Sequence, residues 1–248
     1  MKTFKFFLMT LSVMCIALGF QSCLSDDDDT YWDQRYPNAL VTVKPTGEKS
    51  FYLQLDDKTT LLPTNITTPP FGSKEVRALV NYKEVDGDSG DYTKAVYVNW
   101  IDSILTKSIA LDLGSQNDEV YGTDPVEIIN DWVTIAEDGY LTLRFRTVFN
   151  NANQPHLVSL LASTDPTKPY EVEFRHNAYG DIYGREEDGL VAFNLSSLPD
   201  TEGETVKLKL KWKSFSGDKS VEFDYTTRQS TVGKSSSIAE VRNAINLK

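Results

Sequence analysis

Between Val206 and Lys213 the chain alternates without a break: Val206, Leu208, Leu210 and Trp212 are apolar, and Lys207, Lys209, Lys211 and Lys213 lie between them. A period of two belongs to a strand with one dry and one wet face, and it excludes a helix. Val221, Phe223 and Tyr225 repeat the pattern against Glu222 and Asp224. Matching faces pairs the two runs as a hairpin, with Trp212 opposite Val221, Leu210 opposite Phe223, Lys211 opposite Glu222 and Lys209 opposite Asp224.

Similar runs fill the second half of the chain. Residues 126–135, 140–149, 156–162, 170–177, 190–195, 206–214 and 220–225 read as seven strands, divided by turn residues. Leu141, Leu143, Phe145 and Phe149 share one face, against Thr142, Arg144 and Arg146. The spacing predicts an antiparallel β-sandwich over residues 120–226. In the first half, residues 40–45, 50–55, 58–62, 76–85 and 94–100 read as five short strands. Three prolines and Gly72 in residues 63–72 exclude a long helix there. Five strands with a long connection after the third predict a Greek-key barrel of OB type over residues 39–114. The fold class is therefore all-β, a five-stranded barrel followed by a sandwich. Ile101, Ile104, Leu105 and Ile109 have the spacing of a short helix, and the polar stretch 114–125 is the expected domain boundary. Residues 227–248 read as a loose tail. Ser237 and Glu240 have capping-box spacing there, ahead of a short helix carrying Ile238, Val241 and Ile245.

The N-terminus carries a different signal. Lys2 and Lys5 precede an apolar run over residues 6–20, too short to span a bilayer and suited to an export signal. Ser22 precedes Cys23, and the stretch resembles a bacterial lipobox, with Phe20 and Gln21 in place of its usual residues. Residues 1–22 then form a lipoprotein signal peptide, and Cys23 is the expected lipidation site. Several acyl chains there would give a lasting membrane anchor. Ser25, Asp26, Asp27, Asp28 and Asp29 open an acidic tether over residues 23–38, whose Tyr31, Trp32 and Tyr36 are expected to lie on the first domain. The processed chain loses two lysines and no acid. It keeps 23 basic against 36 acidic side chains, a net of −13. So acidic a chain repels a phosphate backbone, and nucleic acid is excluded as a partner. One cysteine remains, so an internal disulfide is excluded and stability has to come from packed cores.

Two groups of motifs carry a family resemblance. The first is Leu40-Val-Thr-Val-Lys-Pro, Tyr52-Leu-Gln-Leu-Asp-Asp, Arg77-Ala-Leu-Val-Asn-Tyr and Ile104-Leu-Thr-Lys. The second is Pro155-His156, Glu173-Phe-Arg-His-Asn-Ala-Tyr-Gly-Asp181 and Val191-Ala-Phe-Asn-Leu195. Across residues 31–226 the chain resembles the NigD-like lipoproteins of Bacteroidetes. The resemblance implies an N-terminal OB domain, a C-terminal β-sandwich and an outer-membrane lipoprotein. It also implies a link to bacteriocin immunity, and it brings no activity to carry over. The acidic run resembles the surface-export signal of lipoproteins from the same phylum, which implies that the protein faces the cell exterior.

Chemistry is sparse. His156 and His176 are the only histidines, and alternation puts His176 on an inner strand face with Tyr170, Val172 and Phe174. That suits a hydrogen-bonded core histidine, or a site shared with Asp181. Arg175, His176, Asn177, Tyr179, Asp181, Tyr183 and Arg185 form a candidate binding loop for sugar or peptide. The same residues suit a loop held by its own hydrogen bonds. Glu171 and Glu173 fall on an outer strand face, and Glu186 and Glu187 fall in a loop. No catalytic residue, metal-ligand set or cofactor motif is assigned. The function expected is a non-catalytic lipoprotein that binds an unknown protein or glycan partner. The alternatives are an envelope hydrolase using His176 and Asp181, and a passive envelope scaffold.

Overall fold

A computed structural model describes residues 34–228. Cys23, the acidic run, Tyr31, Trp32 and the expected helix near residue 240 lie outside the described residues. Tyr36 is exposed.

Five strands close the barrel: β1 (Ala39–Gly47), β2 (Ser50–Gln54), β3 (Thr60–Pro63), β4 (Val76–Glu84) and β5 (Lys94–Ser103), in the order β1-β2-β3-β5-β4. Closure leaves no free edge among them. Val41, Val43, Leu53, Leu61, Ala78, Val80 and Val96 fill the interior. Ile66 and Phe71, from the proline-bearing connection, pack against that core. Asn38, placed in the tether by the sequence, belongs to the barrel: its side chain exchanges two hydrogen bonds with the Tyr82 backbone at 2.7 and 3.1 Å.

The expected helix at residues 101–113 does not form. β5 runs on to Ser103, and β6 (Leu105–Ser108) lies parallel to β12 (Arg185–Asn194) in the sandwich. The barrel therefore gives way to the sandwich at Ile104, ahead of the expected boundary at 114–125. That polar stretch instead holds a 3-10 turn (Gly114–Gln116) and one helical turn (Asn117–Tyr121). The isoleucines met the helical template, but two sheets on either side offered backbone partners that a short helix cannot match.

One sheet of the sandwich contains β6, β12, β9 (Tyr140–Phe149) and β7 (Glu127–Ile129), with β8 (Ile135–Glu137) also on β9. The other contains β10 (Leu157–Ala162), β11 (Glu171–Asn177), β13 (Val206–Ser214) and β14 (Gly217–Tyr225). Leu143, Leu160, Phe174, Phe193, Leu208 and Leu210 lie in the core between them. The single strand expected at 126–135 is split into β7 and β8 by a turn around Asp131, whose carboxylate accepts from Val133 N.

The β13–β14 hairpin keeps its expected faces but slips by two residues. Leu210 faces Val221, Leu208 faces Phe223, Lys209 faces Glu222 and Lys207 faces Asp224. Alternation cannot see a two-residue shift. The turn decides it, because Ser214 pairs with Gly217 around Phe215 and Ser216, and Gly217 takes φ +110°. Arg185, Glu186 and Glu187, expected in a loop, are the first residues of β12. Thr227 and Arg228, expected to begin a loose tail, are docked. Thr227 exchanges two 3.0 Å hydrogen bonds with Thr201, and Arg228 reaches Glu75 at 2.8 Å.

The outer face of β9 and β12 packs on the barrel. Leu40, Ile104, Val133, Tyr140 and Ala192 form an apolar seam. Arg77 is buried in it, donating to Thr42 Oγ1 at 3.0 Å and to Thr142 Oγ1 at 3.4 Å, with Glu137 at 3.5 Å. Lys44 meets Asp138 at 2.7 Å across the same seam. Asp138 and Gly139, at φ 49° and 75°, make the tight β8–β9 turn that presents this carboxylate.

Candidate functional site

β9 has its barrel contacts at its beginning, and its end opens at the far side of the sandwich. The end of β11, the starts of β10, β12 and β14, and the connection 178–184 collect there.

Antiparallel pairing sets Val158 of β10 opposite His176 of β11. His156, two residues before Val158, therefore shares the inner face with His176. His156 Nδ1 lies 2.9 Å from His176 Nε2, and His156 Nε2 lies 3.3 Å from Asp181 Oδ2. Asp181 Oδ2 also accepts from the backbone N–H of Asn150 and Asn151, at 3.1 and 2.9 Å. These two bonds hold its carboxyl below the usual range. His156 Nε2 donates to the ionised Asp181 carboxylate, and one proton lies between His156 Nδ1 and His176 Nε2. Burial, reinforced by the neighbouring His156, lowers the His176 pKa to about 4, so its ring is neutral at pH 7. Phe149 stands edge-on to His156, and Phe145 lies beside His176.

This buried chain supports the connection 178–184. Asp181 N donates to Ala178 O, Tyr179 N to Asn177 Oδ1, and Gln154 Nε2 to Tyr179 O. Ala178 N donates to Asp124 Oδ2 at 2.8 Å. Tyr179 takes φ 50°, left-handed for a residue with a Cβ. Gly184 returns the chain at φ +136°, where a Cβ would stand 2.5 Å from Phe149 O. On this base Tyr179, Ile182 and Tyr183 face solvent, and Tyr183 is 78% exposed.

The end of β9 and the start of β12 border a cavity of about 400 Å³. Phe145, Thr147 and Phe149 form its floor, with His156 and the Arg185–Glu187 ion pair at its edge. Of the three groups of the hydrogen-bonded chain, His156 alone lines it, and the Thr147 hydroxyl is turned toward Pro125 O at 3.3 Å. Attack by a hydroxyl would need a base within reach of it. Here the base candidates are hydrogen-bonded to one another.

The structure thus brings His156, His176 and Asp181 together, with Asn177, Tyr179 and Tyr183 around them. It sets Arg175 apart, on the outer face of β11 with Asp118 at 2.6 Å and Glu173 at 2.8 Å, whereas Arg185, the first residue of β12, lines the cavity together with His156. Sequence reasoning missed the buried cations of the seam. Their one available signal is that β1 is buried at six consecutive positions, on both faces, so a second layer has to cover it.

Comparison with family models gives a match to the NigD-like N-terminal OB domain over residues 40–104 and to the NigD-like C-terminal beta sandwich domain over residues 108–225. The chain belongs to the NigD-like family. A crystal structure from Parabacteroides distasonis, described as toxin-related, is 39% identical and covers 85% of this NigD-like chain and 98% of its own, with a TM-score of 0.67. A NigD-like immunity protein from Bacteroides caccae shares the fold at 18% identity, covering 76% of this chain and 96% of its own, with a TM-score of 0.55. A protein from Bacteroides fragilis described as a lipoprotein shares it at 15% identity, covering 77% and 98%, with a TM-score of 0.51. No curated protein matches the chain.

Proposed function

We propose that this NigD-like protein is a non-catalytic, lipid-anchored binding module of the outer membrane, facing the cell exterior, and that it engages a protein partner through the open end of its sandwich. The observation that carries this reading is the pairing of a fixed base with an exposed tip. A connection tied by Asp181, His156 and Gln154 displays Tyr179, Ile182 and Tyr183 to solvent. Rigid aromatics at a loop tip offer contact area at low entropic cost, as binding surfaces require. A link to bacteriocin immunity is supported by the immunity protein from Bacteroides caccae and the toxin-related protein from Parabacteroides distasonis. Anchoring through Cys23 is supported by the lipobox-like stretch and by the likeness to the Bacteroides fragilis lipoprotein. Among the described residues, no helix is long and apolar enough to cross a membrane.

The test is rescue of a deletion strain challenged with bacteriocin-containing supernatants of competing strains. The wild-type protein is expected to restore survival. A Tyr179→Ala/Tyr183→Ala variant, anchored and accumulated equally, is expected to fail. Equal rescue by both would overturn the assignment of the loop, and unchanged sensitivity on deletion would overturn the immunity role. Protease treatment of intact cells, with a Cys23→Ala control, tests the placement: digestion without lysis is expected, and protection until lysis would contradict it.

A further inference from the structure

The sandwich leaves one long strand edge open. The barrel is closed, and β6, β7 and β8 have four residues or fewer. β10 is capped at Leu161, where Ala110 pairs with it and donates to Leu160 O at 2.8 Å. β14 ends the same sheet on the other side. It has nine residues, pairs with β13 at every one of them without a bulge, and holds no proline. Edges are ordinarily shortened, bulged, covered or interrupted by proline, and none of these devices is present on β14.

The register shows which backbone groups are free. In an antiparallel pair, successive residues turn their backbone groups alternately toward the neighbouring strand and away from it. Lys209 N donates to Tyr170 O at 2.8 Å, and Lys213 O accepts from Val126 N at 2.9 Å, so the lysines of β13 turn their backbone away from β14. Val206, Leu208, Leu210 and Trp212 therefore bond to β14, through Tyr225, Phe223, Val221 and Lys219. The N–H and C=O groups of Asp218, Ser220, Glu222 and Asp224 point outward. All four residues are exposed, and none of those groups has a hydrogen-bond partner among the described residues.

The side chains select the strand that fits. The outer face of the sheet carries columns of alternating sign: Glu171 and Glu173 on β11, the lysines on β13, then Asp218, Glu222 and Asp224 on β14. Lys211 meets Glu171 at 3.0 Å, and Lys207 meets Asp224 at 2.5 Å. The columns end on acid, and Asp218 and Glu222 make no ion pair among the described residues. On the inner face, Val221 is 38% exposed and Phe223 lies half-buried at the rim of the core. A strand added to β14 continues both faces when basic residues on its outer side alternate with apolar residues on its inner side. A second copy does not fit. Two β14 strands paired antiparallel set Asp218 against Asp224, Asp218 against Glu222, or Glu222 against its own counterpart, according to register. Acids that turn away a like strand admit a cationic one.

We infer that β14 is an augmentation edge for an extended cationic segment of a partner protein, in which basic and apolar residues alternate. The inference does not depend on what the aromatic loop binds. The test is amide hydrogen exchange of the whole processed protein, with a peptide of alternating lysine and valine matched to β14 in length and its glutamate–valine counterpart as control. In the free protein, Lys219, Val221 and Phe223 are expected to exchange slowly, and Asp218, Ser220, Glu222 and Asp224 rapidly. The lysine–valine peptide is expected to slow the outward set saturably at concentrations to about 1 mM, and the glutamate–valine peptide to leave it unchanged. Glu222→Lys is expected to weaken the lysine–valine peptide by about fivefold, a cross-strand pair turned from attraction to repulsion. Ser220→Pro is expected to abolish its binding, because proline at an outward position keeps the β13 ladder and removes a donor. Glu222 is exposed, so its substitution leaves a folded protein even if Ser220→Pro does not. Slow exchange of the outward set in the free protein would overturn the inference, assigning the edge to a second copy if dilution releases it and to residues 229–248 if their removal does. No response to the lysine–valine peptide, equal response to both peptides, or unchanged affinity in Glu222→Lys would overturn it as well.

Discussion

The seam between barrel and sandwich and the open end of the sandwich both bury charged or titratable groups, but in different company. In the seam, Arg77 and Lys44 are enclosed between two sheets, facing Thr42, Thr142 and Glu137 for one and Asp138 for the other. At the open end, the Asp181–His156–His176 chain lies under a single loop whose Tyr179, Ile182 and Tyr183 are left in solvent. Charged groups closed in on both sides hold two domains in one arrangement. A buried chain under an exposed loop holds that loop in place and leaves its tip to solvent.

The largest expected effect is in the seam. Arg77→Ala removes a fully buried cation and leaves the partly buried Glu137 without its partner, a loss of about 3 kcal/mol, the lower end for a broken buried pair. A urea midpoint lowered to match is expected; a loss under about 1 kcal/mol would place the seam among ordinary surface contacts. Next comes acid. The folded-state pKa of His176, about 4, lies below its ordinary 6.5, so the unfolded chain takes up a proton that the folded chain refuses. Stability is complete above pH 6.5 and falls by roughly 3 kcal/mol as the pH drops through 4. Denaturation midpoints across that range measure the slope, and His176→Gln is expected to flatten it. Third, a Cβ on Gly189 would stand 2.5 Å from the Phe145 ring, which packs beside Phe174 and His176. Gly189→Ala is expected to cost about 1–3 kcal/mol by overpacking, read from the same midpoints. The smallest effect is at the tip: Tyr183→Ala is expected to move stability by no more than about 0.5 kcal/mol while lowering survival in the rescue assay.

What the sequence revealed follows from what a single strand carries. Face alternation is local, so the inner face of β9, the outward lysines of β13 and the inward His176 were all legible. Register and neighbours are not local. The β13–β14 pairing shifted by two because Phe215 and Ser216 set the turn. Lys211 found Glu171 on β11 at 3.0 Å, a partner that no hairpin argument contains. His156 meets His176 only through the β10–β11 register. Arg77 sits between Val76 and Ala78 with nothing to distinguish it from a solvent-facing arginine until a second sheet covers it. The stretch 101–113 misled because its isoleucines serve three places: Ile101 packs on the barrel core, Ile104 in the seam and Ile109 against the sandwich core.

The most direct test of the open end as the working face is photo-crosslinking on intact cells. A benzoylphenylalanine at position 183 is compared with one at Tyr97, an exposed aromatic on the barrel. The account expects a discrete covalent adduct from position 183 and none from position 97. Adducts from both positions alike, or from position 97 alone, would contradict it.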